Sequence, residues 1–536
     1  MVQPGTSKGA NKWWRAISAG VACLVSSHAM MLAQTAGSAY ERTVLQIQQQ
    51  IESGDLKQAR SRLVEAGKRF REDGGLENLL GVVEIEEGHA AAAEKAFQRA
   101  TIHSPKLAGP YLNLGRLYMQ SASKDARGPA KALRAYESAL TIAPANAEAN
   151  YQAAVLLMLD KRYDRSLEHI ARLDEAARSG APALAVQCAD EAGLGQKEIA
   201  ERDATALAAD RRLTEADVVE ILPVLRASQR ADLVVLLLTA AGEKQPLSAD
   251  GLRALGLAQE SAGDLEGSRS TLEGAAAADR RSTATLVDLA RVAREQKDYK
   301  GALGYLAHAR EMEPRDAMLL YYFGLASLDM NLLAEARKAF GEAVQLDPES
   351  AQINFAMGTV SAFAQDPTSA FPYLRKYLAL RPADPAGILA LGTTSFRAKD
   401  FEGAIPWLKQ AAGDTRTALT AHFYLGRIAR QQGRFEEALS ELKLAMAGTK
   451  PERPEVSAEL GETYLAMKRY TEAEEALQRA TAIDPENYVA NFGLLQLYSR
   501  TGDGRRVEQA KRFTAIQNKS QAQYQDMMRM IEIRPE

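Results

Sequence analysis

The feature that most constrains this chain is a pattern that returns with a step of 34 residues, about fourteen times along its length. In the stretch from Pro454 to Pro485, Leu460 and Gly461 lead to Tyr464, and Ala473, Leu477 and Ala480 follow before Pro485. Steps of three and four residues place each trio on one face of a helix. Lys468 and Arg469 fall between the two faces, where a short turn reverses the chain. A helical hairpin with apolar faces needs a neighbour on each side. The pattern therefore predicts an all-α chain, a solenoid of stacked antiparallel helix pairs growing in one dimension.

Phasing outward from Pro454 gives repeat starts at 40, 74, 108, 147, 181, 215, 249, 283, 317, 351, 385, 419, 454 and 488. Extra residues around Ser121 to Gly128 fall between two helices, where insertions are tolerated. Leu255-Gly256, Phe323-Gly324, Leu391-Gly392 and Leu425-Gly426 mark first helices, and Ala302, Ala336, Ala404 and Ala438 mark second helices. Asp347-Pro348 and Asp484-Pro485 read as an N-cap followed by proline at the first helical position. The repeats between Gly180 and Pro246 are degenerate, and Pro223 falls inside a first helix. This stretch is expected to be irregular and the weakest part of the array. It reads either as drift or as a joint between two halves. The domain reading is a leader at 1–39, a partly degenerate array at 40–248, a regular array at 249–521 and the end of a capping helix at 522–536. Phe513, Ile516, Tyr524, Met527, Met528 and Ile531 form the apolar stripe of that cap.

The 34-residue period, with its Leu-Gly-x-x-Tyr and Ala-x-x-x-Leu-x-x-Ala elements, resembles the tetratricopeptide repeat. The resemblance implies a right-handed superhelix whose first helices line a concave face that binds an extended peptide or a partner helix. With no phosphate loop and no metal-ligand spacing in the sequence, no cofactor and no metal are expected. Mapped onto that face, the aromatic candidates are Tyr321, Tyr322, Phe355, Phe396, Phe423 and Tyr424. The cationic candidates are Arg291, Arg294, Arg427 and Arg430, with Arg253 farther upstream. Aromatics and arginines are enriched at interfaces, although the aromatics equally suit packing between repeats. Together they predict a track, cationic at both ends, for a partner segment with acidic and apolar side chains. The Lys-x-x-x-Asn pair of the family's clamp for acidic peptide termini is absent at the matching positions.

Residues 1–39 carry Lys8, Lys12 and Arg15 but no acid, then an apolar run from Ile17 to Val25, then small residues. That order reads as a secretory signal peptide, with a membrane anchor at 16–33 as the alternative. The chain is thus expected to be exported, periplasmic or secreted. Formal net charge is −3, which argues against nucleic acid as a partner. Of the two cysteines, Cys23 lies in the leader and Cys188 reads as a small core residue. Ser121 and Lys124 form an isolated S-x-x-K without its partner motifs, and no histidines stand at metal-ligand spacing. The repeats leave no space for a separate catalytic domain. The expectation is a monomeric, non-enzymatic scaffold with a protein or peptide partner. The alternative is an accessory subunit of an enzyme complex in envelope or polysaccharide biosynthesis or secretion.

Overall fold

The computed structural model describes residues 39–363, 367–447 and 453–532, with side chains through Lys519. The leader with Cys23 and the alternative anchor at 16–33 lies outside the described residues, as do the side chains of Tyr524, Met527, Met528 and Ile531. Among the described residues there are 29 α-helices, a 3-10 turn at Pro367–Ala370 and no strand. Gly74, Ala108, Ala147, Ala181, Glu215, Ala249, Thr283, Ala317, Ala351, Pro385, Pro454 and Tyr488 each open a helix, at the phased positions. None of the described helices is long and apolar enough to cross a membrane.

Many of the hairpins close on a contact between a glycine and a large side chain. A Cβ on Gly461 would lie 2.5 Å from Leu477 Cγ, and one on Gly426 would lie 2.7 Å from Leu442 Cγ. At Gly81 and Gly324 the opposing side chains are Phe97 and Phe340, each 2.4 Å from the missing Cβ. In all four hairpins the large residue follows its glycine by the same interval. Gly115 meets Tyr136 after a longer one, because residues 121–127 are inserted between its two helices. The pattern thus sets a hole against a knob. Ala473 and Ala480 flank Leu477, all with no exposed surface, so the helices pack closely along their length.

In most of the hairpins the turn holds one residue in the left-handed region. Gly433 takes it with φ 75°, whereas Lys399 and Lys468 hold φ near 60°. The N–H two residues into the turn then reaches back to the helix end. Asp400 donates to Ser395 O at 2.9 Å, Arg434 to Ala429 O at 2.8 Å and Arg469 to Tyr464 O at 2.9 Å. These 6→1 bonds satisfy carbonyls the helix leaves open. Second helices begin where Asp298 and Asp400 accept the N–H groups of Gly301 and Gly403.

The expected caps at Asp347 and Asp484 are corrected. These residues end the preceding helices, and the N-caps of the following ones are Ser350 and Asn487. Pro348 and Pro485 lie in the turn between repeats, where their carbonyls accept the amides of Asn354 (2.9 Å) and Asn491 (3.1 Å). Proline is tolerated in such a turn for the same reason that it is tolerated at a helix start, namely that no helical N–H is required of it. The Asp-Pro pair that does cap a helix is Asp384-Pro385.

The chain divides into two compact units, Met1–Arg280 and Arg281–Glu536. In the first unit, the degenerate stretch folds as helices Ala181–Gly193, Lys197–Ala209, Glu215–Ala227 and Ala231–Lys244. The helix Glu215–Ala227 runs through Pro223. These helices hold the largest buried apolar cluster among the described residues, which extends from Ala154 to Ala258. Because Ala254, Leu255 and Ala258 belong to it, packing continues across residue 248, where motif regularity changes. The expected weak point therefore coincides with a well-filled core. Loss of the repeat signature here is a change of which apolar residues pack, not a loss of packing. In the second unit, Phe513 is buried against Tyr488 and Phe492, with ring centroids at 5.0 and 5.4 Å, so the helix Arg506–Glu532 covers the last first helix at this point.

Replacing Gly426 with alanine tests the knob-and-hole contact. Helix propensity alone favours alanine by about 1 kcal/mol, whereas overpacking against Leu442 costs about 1–3 kcal/mol. Urea denaturation is expected to show a net loss of stability. A more stable Gly426→Ala protein would show that the close approach is not required.

Candidate binding surface

All ten residues expected to line the track lie in the second unit. Arg291 and Arg294 are on Thr283–Glu295, Tyr321 and Tyr322 on Ala317–Asp329, and Phe355 on Ala351–Ser361. Phe396 is on Pro385–Arg397, and Phe423, Tyr424, Arg427 and Arg430 are on Ala418–Gln431. Arg253 belongs to the first unit.

The structure brings some of these together and separates others. Phe396 meets Tyr424 at 5.1 Å between centroids, and Tyr424 meets Phe423 at 5.5 Å. The Arg427 guanidinium lies over Phe396 (4.9 Å) and Phe423 (5.6 Å), close enough for cation–π attraction. Tyr321 and Tyr322 form a second pair at 5.4 Å, while Phe355 stacks on Tyr377 of its own hairpin at 4.8 Å. Tyr321 and Phe423 are buried and the others half-buried. These rings chiefly fill the joints between helices.

The arginines already have carboxylates. Arg291 reaches Asp288 at 3.1 Å, and Arg294 reaches Asp329 at 2.5 Å. Arg430 donates to Glu459 Oε2 at 2.9 Å. Arg427 Nε stands 2.9 Å from Glu459 Oε1, although its N–H is not aimed at that oxygen. Glu459 is buried, so two guanidinium groups of one repeat hold one carboxylate of the next. Sequence reading missed Asp329 and Glu459 as partners. Their signal is a separation close to the 34-residue step, which puts acid and base on neighbouring first helices. Glu462, one turn beyond Glu459, has an oxygen with no hydrogen-bond partner, and burial raises its pKa.

The first unit conceals acids as well. Asp190 has no exposed surface and neither of its oxygens has a hydrogen-bond partner. Burial pushes its pKa up to about 8, against the pull of the Ser166 hydroxyl, with Glu191 and Asp164 adding negative charge. Glu191 is raised by burial and by Asp203, and Gln187 bridges the two carboxylates at 3.1 and 2.7 Å. Glu220, also raised by burial, accepts the Tyr151 hydroxyl at 2.5 Å. Cys188 is buried, its thiol raised to about 12 and directed at Ala200 O. Glu84, Glu87 and His89 gather at one helix end, but the Arg60 guanidinium lies on both carboxylates, 2.7 Å from Glu84.

Helix pairs, glycine-backed hairpins and joints laced by aromatics and ion pairs define a repeat protein of the hairpin-stacking class. Family models described as tetratricopeptide repeat match residues 287–351, 323–385, 389–454, 429–492 and 464–531. The chain consists of many helix pairs and carries tetratricopeptide repeats in its second unit, where the matched residues lie. Comparison with curated protein sequences gives no match. Among solved structures, the APC/C hetero-tetramer Cut9-Hcn1 is 15% identical over 89% of this chain and 95% of that one, with a TM-score of 0.40. A tetratricopeptide repeat protein from Parabacteroides merdae is 14% identical over 46% and 98%, at 0.41. PilW, a type IV pilus biogenesis factor, is 20% identical over 40% and 98%, at 0.36. With scores this low, the likenesses carry no functional argument.

Two tests follow from the charges. Replacing both Arg427 and Arg430 with alanine strands Glu459 in the joint, an arrangement that costs about 3–5 kcal/mol where a buried pair is broken. Thermal melting is expected to fall markedly and to recover when Glu459→Gln is added. No recovery would show that the arginines act by packing alone.

The second test concerns pH. Asp190 holds its proton in the fold up to about pH 8 but in the unfolded chain only to about pH 4. Between these values the folded state binds more protons, so its stability falls as pH rises. Hydrogen exchange in residues 181–209, corrected for intrinsic rates, is expected to open more readily at pH 8.5 than at pH 5.5. Asp190→Asn should flatten that difference, and an unchanged slope would exclude Asp190 as its source.

Proposed function

We propose that this protein is a non-catalytic scaffold that binds a protein partner along the first helices of its second unit, outside the cytoplasm. The observation that carries the reading is direct contact between side chains about one repeat apart. Arg294 with Asp329, Phe396 with Tyr424 and Arg430 with Glu459 link successive first helices, and Arg397 reaches Phe363 in the turn that ends the preceding one. A surface built this way continues from helix to helix and varies its chemistry at each step. Such a surface suits an extended segment better than a compact substrate. Met318, Val489 and Phe492 add partly exposed apolar area on first helices of the same unit. The scaffold reading also accords with a family that is typically non-catalytic. Export rests on the leader alone, with its basic, apolar and small-residue segments.

A photo-crosslinking residue placed at Met318 or Phe492 is expected to capture a defined protein from the native host, while one at Leu444 on a second helix is not. Absence of an adduct at both first-helix positions, or equal capture at Leu444, would count against the surface. Whether the captured protein is an enzyme decides between a scaffold and an accessory subunit. Fractionation tests the compartment, since full-length protein retained in the cytoplasm would refute export.

A further inference from the structure

One hollow lies apart from the joint at Arg427 and Glu459. Leu333, Ala334, Arg337 and Lys338, on the second helix Leu333–Leu346, face Val360 and Phe363 at the end of the next first helix. They bound a space of about 500 Å³ open to solvent. Phe363 is 56% exposed and Leu333 43%, whereas Tyr321, Tyr322, Phe355, Phe396, Phe423 and Tyr424 are buried or half-buried. Arg397, one repeat farther on, places its guanidinium 4.0 Å from the centre of the Phe363 ring.

The charges here differ from those of the joints. Arg294, Arg427 and Arg430 are each paired with an acid of the chain. Among the described residues, none forms an ion pair with Arg337, Lys338 or Arg397. Three cations thus lie about an open phenylalanine and leucine with no ion-pair partner among the described residues. The geometry points to this hollow as the docking site for an acidic segment of a protein partner bearing one apolar side chain. The apolar side chain enters beside Phe363 and Leu333. Flanking carboxylates meet Arg337, Lys338 and Arg397 through charge-assisted hydrogen bonds. Complementary charge selects the segment and speeds its encounter, while the apolar contact fixes its register. The inference takes the scaffold reading as its premise, but its residues are separate from Met318 and Phe492.

The experiment uses the full chain and a fluorescein-labelled peptide of aspartates and glutamates around a single phenylalanine, followed by anisotropy. Saturable, salt-sensitive binding is expected. Arg337→Glu combined with Lys338→Glu should weaken it by roughly tenfold or more. Phe363→Ser should weaken it comparably, and Arg479→Ala, on the exposed side of the second helix Tyr470–Ile483, should leave it unchanged. Circular dichroism checks the fold of each variant, which is expected to persist because the altered side chains are exposed. A peptide without phenylalanine should bind more weakly. Equal binding by that peptide would reduce the site to diffuse electrostatics and overturn the proposal, as would binding unaffected by the substitutions. Vesicles containing phosphatidylserine form the other arm. If they bind in a variant-sensitive way while the peptide does not, the occupant is a membrane and the proposal fails. Peptide binding here with no crosslinked partner at Met318 or Phe492 would sink the first-helix surface and leave this site standing. The opposite pair of results would remove this site alone.

Discussion

The array depends on the depth to which one helix of each hairpin settles into the other. Glycine on the first helix removes a side chain at the point where Leu442, Leu477, Phe97 or Phe340 of the second helix arrives. The cost in helix propensity is about 1 kcal/mol at each glycine. Burial of the opposing side chain, worth about 1.5–3 kcal/mol, exceeds it. Because that knob sits on the hairpin's own second helix, the contact forms within one repeat. Stacking then adds neighbours to hairpins whose internal geometry is already set. This makes loss of the repeat signature tolerable between Ala181 and Lys244. Gly193 there faces Tyr163 of the preceding hairpin instead, and the apolar core still fills.

Much of this was legible. The period, the Leu-Gly pair and the flanking alanines fixed the helix starts, because they record contacts repeated in most of the hairpins. The caps were read less well. Asp347 and Asp484 precede prolines in a pattern suited to a helix start, yet the chain needs three further residues to cross to the next repeat. The candidate surface was the least legible part. Its rings and arginines were judged by their place on their own helices. Their partners, Asp329 for Arg294 and Glu459 for Arg427 and Arg430, stand roughly one repeat away. Adding about 34 to a residue number finds such partners, but only once the stacking is known. Asp190 was hidden for another reason. A carboxylate amid alanines on a helix reads as a solvent-facing residue, and only packing from three dimensions reveals that it has none of its surface exposed.

Inter-repeat ion pairs serve a different purpose from the apolar contacts. A guanidinium bridging two first helices makes directional bonds and sets the angle at which one repeat lies on the next. Glu459 is nearly enclosed, so its arginines are committed to that joint rather than free for a partner. The track expected from sequence, cationic at both ends, is therefore largely neutralised by the protein itself.

This commitment shifts recognition to the charges left over. In a one-dimensional array, residues at matching positions stand next to one another, so each column is an internal pairing problem. One such column runs through Asp329, Phe363 and Arg397. Its acid is taken by Arg294, and among the described residues no carboxylate pairs with Arg397, which lies over the ring of Phe363. Cation–π contact orients the guanidinium while leaving its charge uncompensated. Arg337 and Lys338 add to that excess from the adjoining helix. Where internal pairing is complete the array gains rigidity, and where it is incomplete the surface retains attraction for a partner. The same repeat therefore builds both a structural joint and a site of recognition, and the difference is whether the next first helix supplies an acid.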